Sequence, residues 1–365
     1  MTDLTVAFIG LGLIGGSVAK GLKRRAPGTR IMAYMRTREK LKQAKRDGIV
    51  DVILDGVDEH LSECDIIFLC TPVEYNADYL QQIKPFVKKG AIVTDVGSTK
   101  TNIHETVTSL GMEDCFVGGH PMAGSEKTGY ENASDHLLEN AYYIITPSAK
   151  VSGEKVTEYK TFIESLKALP ILLDYQKHDA VTGTISHLPH ILASGLVNFV
   201  RETDTEVELM KQLAAGGFKD ITRIASSSPV MWQQICLKNR KNISRILSAY
   251  IETLNQAKLA IDTGAEEALY SFFETSRDYR NSMPNSSAGP IKKQFAIYCD
   301  IIDETGGIAT IATILASNMI SIKNIGIVHN REFEEGVLRI EFYDEDSSAK
   351  AAVLLQKYRY IVYEV

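Results

Sequence analysis

TVAFIGLGLIGGSVAK, residues 5–20, is the stretch on which the fold turns. Thr5 to Ile9 are apolar or β-branched without a break, the composition of a strand buried on both faces. Gly10, Gly12 and Gly15 follow, and from Ser17 the sequence takes on helical character. Each glycine has its own duty. The first allows a tight turn, the second lets backbone approach a pyrophosphate, and the third lets a helix pack close against a strand. Amides and dipole at the helix N-terminus then face the phosphates. A glycine triplet alone is a weak signal; one that ends a buried strand and opens a helix implies a dinucleotide-binding unit.

Working outward, further buried strands are expected at residues 31–34, 65–70, 91–95, 116–118 and 142–146, with helices such as 37–46 and 74–88 between them. Strand alternating with helix implies an α/β architecture, a Rossmann-like doubly wound domain with a parallel sheet, over residues 1–172. From residue 178 to about 279 the spacing is helical. Ile243, Ile246, Leu247, Tyr250, Ile251 and Leu254 recur at helical intervals, so residues 173–280 read as an all-helical domain. Residues 281–294, NSMPNSSAGPIKKQ, have the composition of a linker. The last part, residues 295–365, reads strand 295–302, helix 307–317, strands 320–328 and 337–342, helix 347–357 and strand 360–365, a βαββαβ, ferredoxin-like order.

Composition narrows the class. A chain of 365 residues, 44% hydrophobic and 24% charged, suits two or three soluble globular domains. A net charge of −6 without any long Lys/Arg run argues against nucleic acid as a partner. The five cysteines (64, 70, 115, 236, 299) are odd in number and contain no C-x-x-C pair, which argues against a disulfide framework or a zinc cluster and fits a reducing cytoplasm. The first ten residues lack the basic segment of a signal peptide. The longest apolar stretch, 181–200, is broken by His187, Pro189, His190 and Asn198, so no membrane span is expected.

The acid that usually meets the ribose hydroxyls stands about 20 residues beyond the loop. Here the position holds Met35, followed by Arg36, Thr37 and Arg38, a group able to accept a 2′-phosphate; NAD and NADP both stay open. Gly10, Gly12, Leu13, Ile14 and Gly15, with Arg36, Thr71 and Ser98, are the candidate cofactor contacts. DVGSTK, residues 95–100, lies at the carboxyl end of the fourth expected strand, where ligands bind in open sheets. Ser98 and Lys100 are therefore expected to face the nicotinamide end. His120 sits in GGHPMAGSEK (118–127) after a strand, and its imidazole can take a proton from a substrate hydroxyl near neutrality. His178, His187 and His190 fall within 13 residues, but lack a companion carboxylate or cysteine at ligand spacing, so no metal is expected. Arg223, in GGFKDITRIASSSPVMW (216–232), can fork onto a carboxylate.

Taken in order, GLGLIGGS, DVGSTK, GGHPMAGSEKTG, HDAVTGTISHLPH and GGFKDITRIASSSPVMW resemble the prephenate dehydrogenases, which share their pattern with arogenate dehydrogenases. The likeness spans residues 1 to about 280. The remainder, 295–365, is similar to an ACT domain, a small amino-acid-sensing module. The resemblance implies oxidative decarboxylation of prephenate to 4-hydroxyphenylpyruvate, a step of tyrosine biosynthesis, with NAD as cofactor and NADP open because of Met35. It implies that His120 holds the substrate hydroxyl and draws its proton, that Ser98 bonds the same hydroxyl and orients His120, and that Arg223 binds a substrate carboxylate. His190, Gly216, Asp220 and Trp232 would shape that pocket, with Glu126 as a gate at its entrance. It also implies a homodimer built through the helical domain. Gly306, Gly307 and Ile308 at the first strand–helix junction of the last domain, with Asn318, are its candidate regulatory residues, and tyrosine the expected effector.

Two rivals carry different expectations. Lys238 and Asn242 match the K-x-x-x-N of β-hydroxyacid dehydrogenases but come about 60 residues later than that family places them. A non-catalytic sensor would keep the glycine loop without needing Ser98, His120 and Arg223 together.

Overall fold

The computed structural model describes residues 4–124, 127–283, 295–301, 306–328 and 336–364. The chain divides into two compact units, Met1–Gly289 and Pro290–Val365.

In the first unit, strands β1 (Thr5–Ile9), β2 (Arg30–Tyr34), β3 (Val52–Ile53), β4 (Ile66–Leu69) and β5 (Ile92–Asp95) form a parallel sheet in the order β3-β2-β1-β4-β5. Helices α1 (Leu13–Arg25), α2 (Arg38–Arg46), α3 (Asn76–Ile83) and α4 (Thr101–Leu110) connect or flank these strands. Alternate side chains of β1 feed two separate cores: Val6 and Phe8 join one, Ala7 and Ile9 the other. That is why the strand is apolar at every position: both faces of the sheet are covered. The order reverses between β1 and β4, which opens the crevice for a ligand beyond their carboxyl ends.

The sheet does not stay parallel to residue 172. Strands β6 (Val117–Pro121), β7 (Tyr142–Pro147) and β8 (Leu169–Leu172) form a second sheet in which β6 and β7 run antiparallel and β7 and β8 parallel. Residues 122–141 contain only one short 3-10 turn, Tyr130–Asn132, among those described. A parallel return needs a crossover of a dozen or more residues, usually a helix, and α5 (Gly153–Ser165) supplies one only between β7 and β8. The extra strand β3 also makes Asp95 the end of the fifth strand, not the fourth. Phe116 bridges Val93 in parallel, so β6 starts beside β5.

Residues 175–282 are helical: α6 (Tyr175–Thr182), α7 (Leu188–Thr203), α8 (Leu209–Leu213), α9 (Gly216–Thr222), α10 (Pro229–Lys238), α11 (Arg240–Asp262) and α12 (Glu266–Ser282). Between α6 and α7 lies a π-helical turn, Gly183–His187, a device that changes helical phase and is frequent at functional sites. Of the predicted stripe on α11, Ile243 and Ile246 are buried while Ile251 and Leu254 are exposed. No helix among the described residues is long and apolar enough to cross a membrane.

The second unit contains β9 (Phe295–Ile301), α13 (Gly307–Ser317), β10 (Ile322–Val328), β11 (Gly336–Phe342), α14 (Glu345–Lys357) and β12 (Val362–Glu364). The four strands make an antiparallel sheet ordered β10-β11-β9-β12. Ile297, Cys299 and Ile301 alternate onto the face that also buries Ile311, Leu315, Ala351 and Leu355 of the two helices.

The contact between β5 and β6 is too tight for any side chain at Gly119. A Cβ there would lie 2.6 Å from the Asp95 carbonyl oxygen and 2.6 Å from the Tyr143 hydroxyl. Gly119→Ala is expected to lower stability by roughly 1–3 kcal/mol, the scale of overpacking. Gly153→Ala, at the open first turn of α5 with nothing within 4 Å, should leave it unchanged. Denaturant melts of the two variants, compared with the parent, check this.

Candidate active site

The glycine loop fits a pyrophosphate. Gly10 has φ +91°, in the left-handed region, and a Cβ on it would meet the Cys70 carbonyl oxygen at 2.7 Å. At Gly15 a Cβ would come within 2.9 Å of the Gly10 oxygen, so α1 closes on the strand only without one. Gly12, the N-cap of α1, has open space where its Cβ would be, and no side chain caps the helix. Leu13 and Ile14 begin that helix. The loop opens into a cleft of about 220 Å3 lined among others by Met35, Arg36, Thr37, Thr71 and Tyr75. Among the described residues no carboxylate lines it. The Arg36 guanidinium lies 5.1 Å from the Tyr75 ring centre, Met35 packs against the core, and Arg38 is committed to Asp55.

At the far edge of this sheet a buried polar network surrounds His120. The imidazole is 9% exposed on β6. Its Nδ1 lies 2.8 Å from His178 Nε2, and His178 Nδ1 lies 2.8 Å from the Asp179 carboxylate. Asp179 in turn accepts the backbone N–H groups of Lys100 and Thr101, each at 2.8 Å, at the N-terminus of α4. Asn239 donates to the Asp179 carbonyl oxygen at 2.8 Å and sits 3.1 Å from His187 Nδ1. The network thus joins the first sheet's edge to α6, the π turn and the α10–α11 junction.

Burial sets the protonation states. It pushes His120 well below the ordinary imidazole range, and the neighbouring His178, Lys100 and His187 add to the effect. His187 falls to about 4, chiefly through burial. Burial also lowers His178, although the bond to Asp179 opposes it. For Asp179 burial favours the neutral acid, but the bonds from His178, Thr101 and Lys100 outweigh it and hold the carboxyl below its usual value. At neutral pH His120 is an uncharged acceptor.

Two expectations change here. Lys100 does not face the ligand: it is fully buried, with Nζ on the Asp95 carboxylate and, at 2.7 Å, on the Gly119 carbonyl oxygen. A buried cation must be paired, and the carboxylate at the end of β5 pairs it. Nor is Ser98 bonded to His120. Ser98 is half-buried in the turn before α4 and makes no hydrogen bond to the imidazole, whose Nδ1 belongs to His178. His178 and Asp179, given no firm role from sequence, are the residues that hold His120.

Of the residues expected around a substrate carboxylate, His190 and Trp232 lie together. His190 of α7 stacks on Trp232 of α10, ring centres 3.7 Å apart, and His187 meets the same indole edge-on at 6.0 Å. Burial lowers His190, and the charge of Arg223 acts in the same direction. Arg223 begins a 3-10 turn directly after α9. Trp232 Nε1 is buried without a hydrogen-bond partner among the described residues, a donor whose desolvation costs free energy unless a ligand accepts from it. Gly216 opens α9 and Asp220 lies exposed near its end. Glu126 lies outside the described residues. Among the described residues no group of three or more His, Cys, Asp or Glu is placed to hold a metal ion. The rival lysine motif finds no site: Lys238 is exposed at the end of α10, and Asn242 is tied to Asn239 at 2.8 Å.

In the second unit Gly306 (φ +94°), Gly307 and Ile308 begin α13, while Asn318 caps its end and donates to the Ile314 carbonyl oxygen. With a rise of about 1.5 Å per residue, the two groups stand roughly 15 Å apart along the helix.

A family model described as prephenate dehydrogenase, nucleotide-binding domain, matches residues 18–172, and one described as prephenate dehydrogenase, dimerization domain, matches residues 174–275. The prephenate dehydrogenase of Bacillus subtilis is 37% identical over 349 residues, 95% of this chain and 94% of its own. Among solved structures, the A. aeolicus prephenate dehydrogenase in complex with hydroxyphenyl propionate and NAD+ is 31% identical, with a TM-score of 0.73 over 78% of this chain and 99% of that one. Synechocystis arogenate dehydrogenase is 30% identical, with a TM-score of 0.69 over 76% and 99%.

The Lys100–Asp95 pair has no solvent to fall back on. Lys100→Met, which leaves the Asp95 carboxylate buried without its cation, is expected to cost about 3–5 kcal/mol of folding stability. Urea denaturation followed by circular dichroism measures it.

Proposed function

The chain belongs to the prephenate dehydrogenase family, and on that footing we propose that it oxidatively decarboxylates prephenate to 4-hydroxyphenylpyruvate with a nicotinamide dinucleotide. One observation carries the reading: a buried, neutral His120 beyond the nucleotide loop of the same compact unit, with His190 and Trp232 stacked on adjoining helices and the charge of Arg223 acting on that histidine. The nicotinamide cofactor, held at the Gly10–Gly15 loop, would supply the hydride acceptor for the ring carbon that bears the hydroxyl.

The chain's own residues do the rest. His120 accepts the hydroxyl proton as that carbon becomes electron-poor. Ser98 bonds the same oxygen from the β5 turn. Arg223 binds a substrate carboxylate, with His190, Trp232, Gly216 and Asp220 around it and Glu126 at the entrance. Carbon dioxide leaves the opposite ring carbon, and the ring becomes aromatic. The product keeps a phenolic O–H, so His120 holds the proton only in passing. Much of the driving force lies in aromatisation; alignment and polarisation are what the protein adds.

Gly10, Gly12, Leu13, Ile14 and Gly15 would hold the pyrophosphate, and Thr71 and Arg36 would line the adenosine side. With Met35 where an acid usually stands, the site is proposed to take NAD and to admit NADP. Exposed Ile251, Leu254, Leu259, Tyr270 and Phe273 of α11 and α12 are proposed as part of a homodimer face. We assign the second unit as an ACT domain on its βαββαβ order, with tyrosine as an inhibitor bound between paired copies near Gly306, Gly307, Ile308 and Asn318. The separation of those two groups along α13 is what favours a site shared by two chains. Residues 1–172, 173–280, 281–294 and 295–365 are accordingly taken as cofactor, helical, linker and regulatory segments.

Initial rates of nicotinamide reduction with prephenate or arogenate, NAD or NADP, with and without tyrosine, test the assignment. Prephenate with NAD should be fastest and tyrosine should slow it; no reduction with either substrate would refute the reading. His120→Asn should lose at least 100-fold in turnover, the scale of a lost proton acceptor, while binding cofactor as before.

A further inference from the structure

We infer that His178 and Asp179 are positioning residues that lock His120 in the tautomer with its proton on Nδ1 and its lone pair on Nε2. The consequence for catalysis rests on the proposed function; the tautomer itself follows from the hydrogen-bond geometry. The chain of bonds is fixed at Asp179. Oδ1 accepts the Lys100 N–H and Oδ2 the Thr101 N–H, so both oxygens are engaged as acceptors at the N-terminus of α4. An ionised carboxylate can only accept, and His178 Nδ1 at 2.8 Å must therefore carry a proton. His178 is fully buried and neutral, which leaves its Nε2 as an acceptor. His120 Nδ1, 2.8 Å away, must then be the donor. A neutral imidazole has one N–H, so the lone pair of His120 falls on Nε2.

No other neutral arrangement satisfies the three links. With the proton of His178 moved to Nε2, its Nδ1 lone pair would face the carboxylate. His120 Nδ1 would have to accept, and its proton would sit on Nε2, where a substrate hydroxyl finds no base. The fixed tautomer also serves the reverse step. When the hydroxyl O–H bond breaks and the proton forms a bond to His120 Nε2, the new cation keeps its Nδ1–H on His178, and the Asp179 charge lies one ring beyond. The proton returns to oxygen as the product leaves. Ser98 then touches only the substrate oxygen, with no part in orienting the ring.

The first measurement is the 15N ring spectrum of the full-length protein labelled in its 8 histidines, with His120→Asn assigning the signals. His120 should show a protonated Nδ1 and an unprotonated Nε2; the opposite pattern overturns the inference, whatever the substrate proves to be. The second uses turnover. Asp179→Asn can donate to His178 and reverse both tautomers, so kcat is expected to fall on the order of 10²–10⁴-fold, the scale seen when a histidine base is held in the wrong tautomer, with cofactor Kd unchanged. Should that variant fold poorly at the α4 terminus, His178→Gln and His178→Phe form a second pair. Gln can still offer a carbonyl to His120 Nδ1 and should keep at least ten times the kcat of Phe at similar KM. Equal kcat in the two, or a wild-type kcat in Asp179→Asn, rejects the positioning role.

Discussion

The Asp179 carboxylate on the N-terminus of α4 is the contact through which the two halves of the first unit become one site. Its two oxygens take the Lys100 and Thr101 amides, which a free helix end would leave to water. Its neighbour His178 reaches His120 on β6, and its own carbonyl oxygen is held by Asn239. Three elements far apart in sequence therefore share one buried anion. That anion is tolerable inside the protein because both of its oxygens have donors, and because the helix end supplies positive potential.

A second buried charge works beside it. Lys100 and Asp95 fasten the end of β5 to the Gly119 carbonyl oxygen of β6, and a glycine at 119 lets the strands approach closely enough for those bonds to form. The strand that carries His120 is thus held from below by Lys100 and Asp95 and from the side by His178. Loops alone would not keep an imidazole aimed to a fraction of an ångström; a strand laddered to β7 and tied to β5 through Asp95 and Lys100 does. The cost is desolvation, visible in the depressed basicity of His120, His178 and Lys100 together. A neutral histidine is what a proton acceptor requires, so the same burial that costs stability sets the working protonation state.

Much of this was open to reading from residues alone, for local reasons. The glycine loop is legible because Gly10 and Gly15 answer to backbone geometry and close packing, which depend on residues nearby. The helices of 175–282 and the alternation in β9 follow from periodicity. His120 stood out as a polar residue in a glycine-rich strand end. What was hidden depends on tertiary partners. The antiparallel β6–β7 pair goes with a connection that holds no crossover helix among the described residues, and Lys100 looks like a ligand-facing lysine until Asp95 is seen beside it. His178 lies 58 residues from the ring it orients, and the π turn at Gly183–His187 breaks the helical phase by which a sequence reading would have placed His187. Adjacent His and Asp were the available signal: a carboxylate next to a histidine is the common way to fix a ring's proton.

His120 Nε2 is proposed to meet the substrate's ring oxygen. A crystal structure with cofactor and 4-hydroxyphenylpyruvate tests it most directly. The phenolic oxygen is expected within about 2.6–3.2 Å of His120 Nε2, with His178 touching His120 and not the ligand. A product whose phenolic oxygen is held by another side chain, with His120 still bonded only to protein, would contradict it.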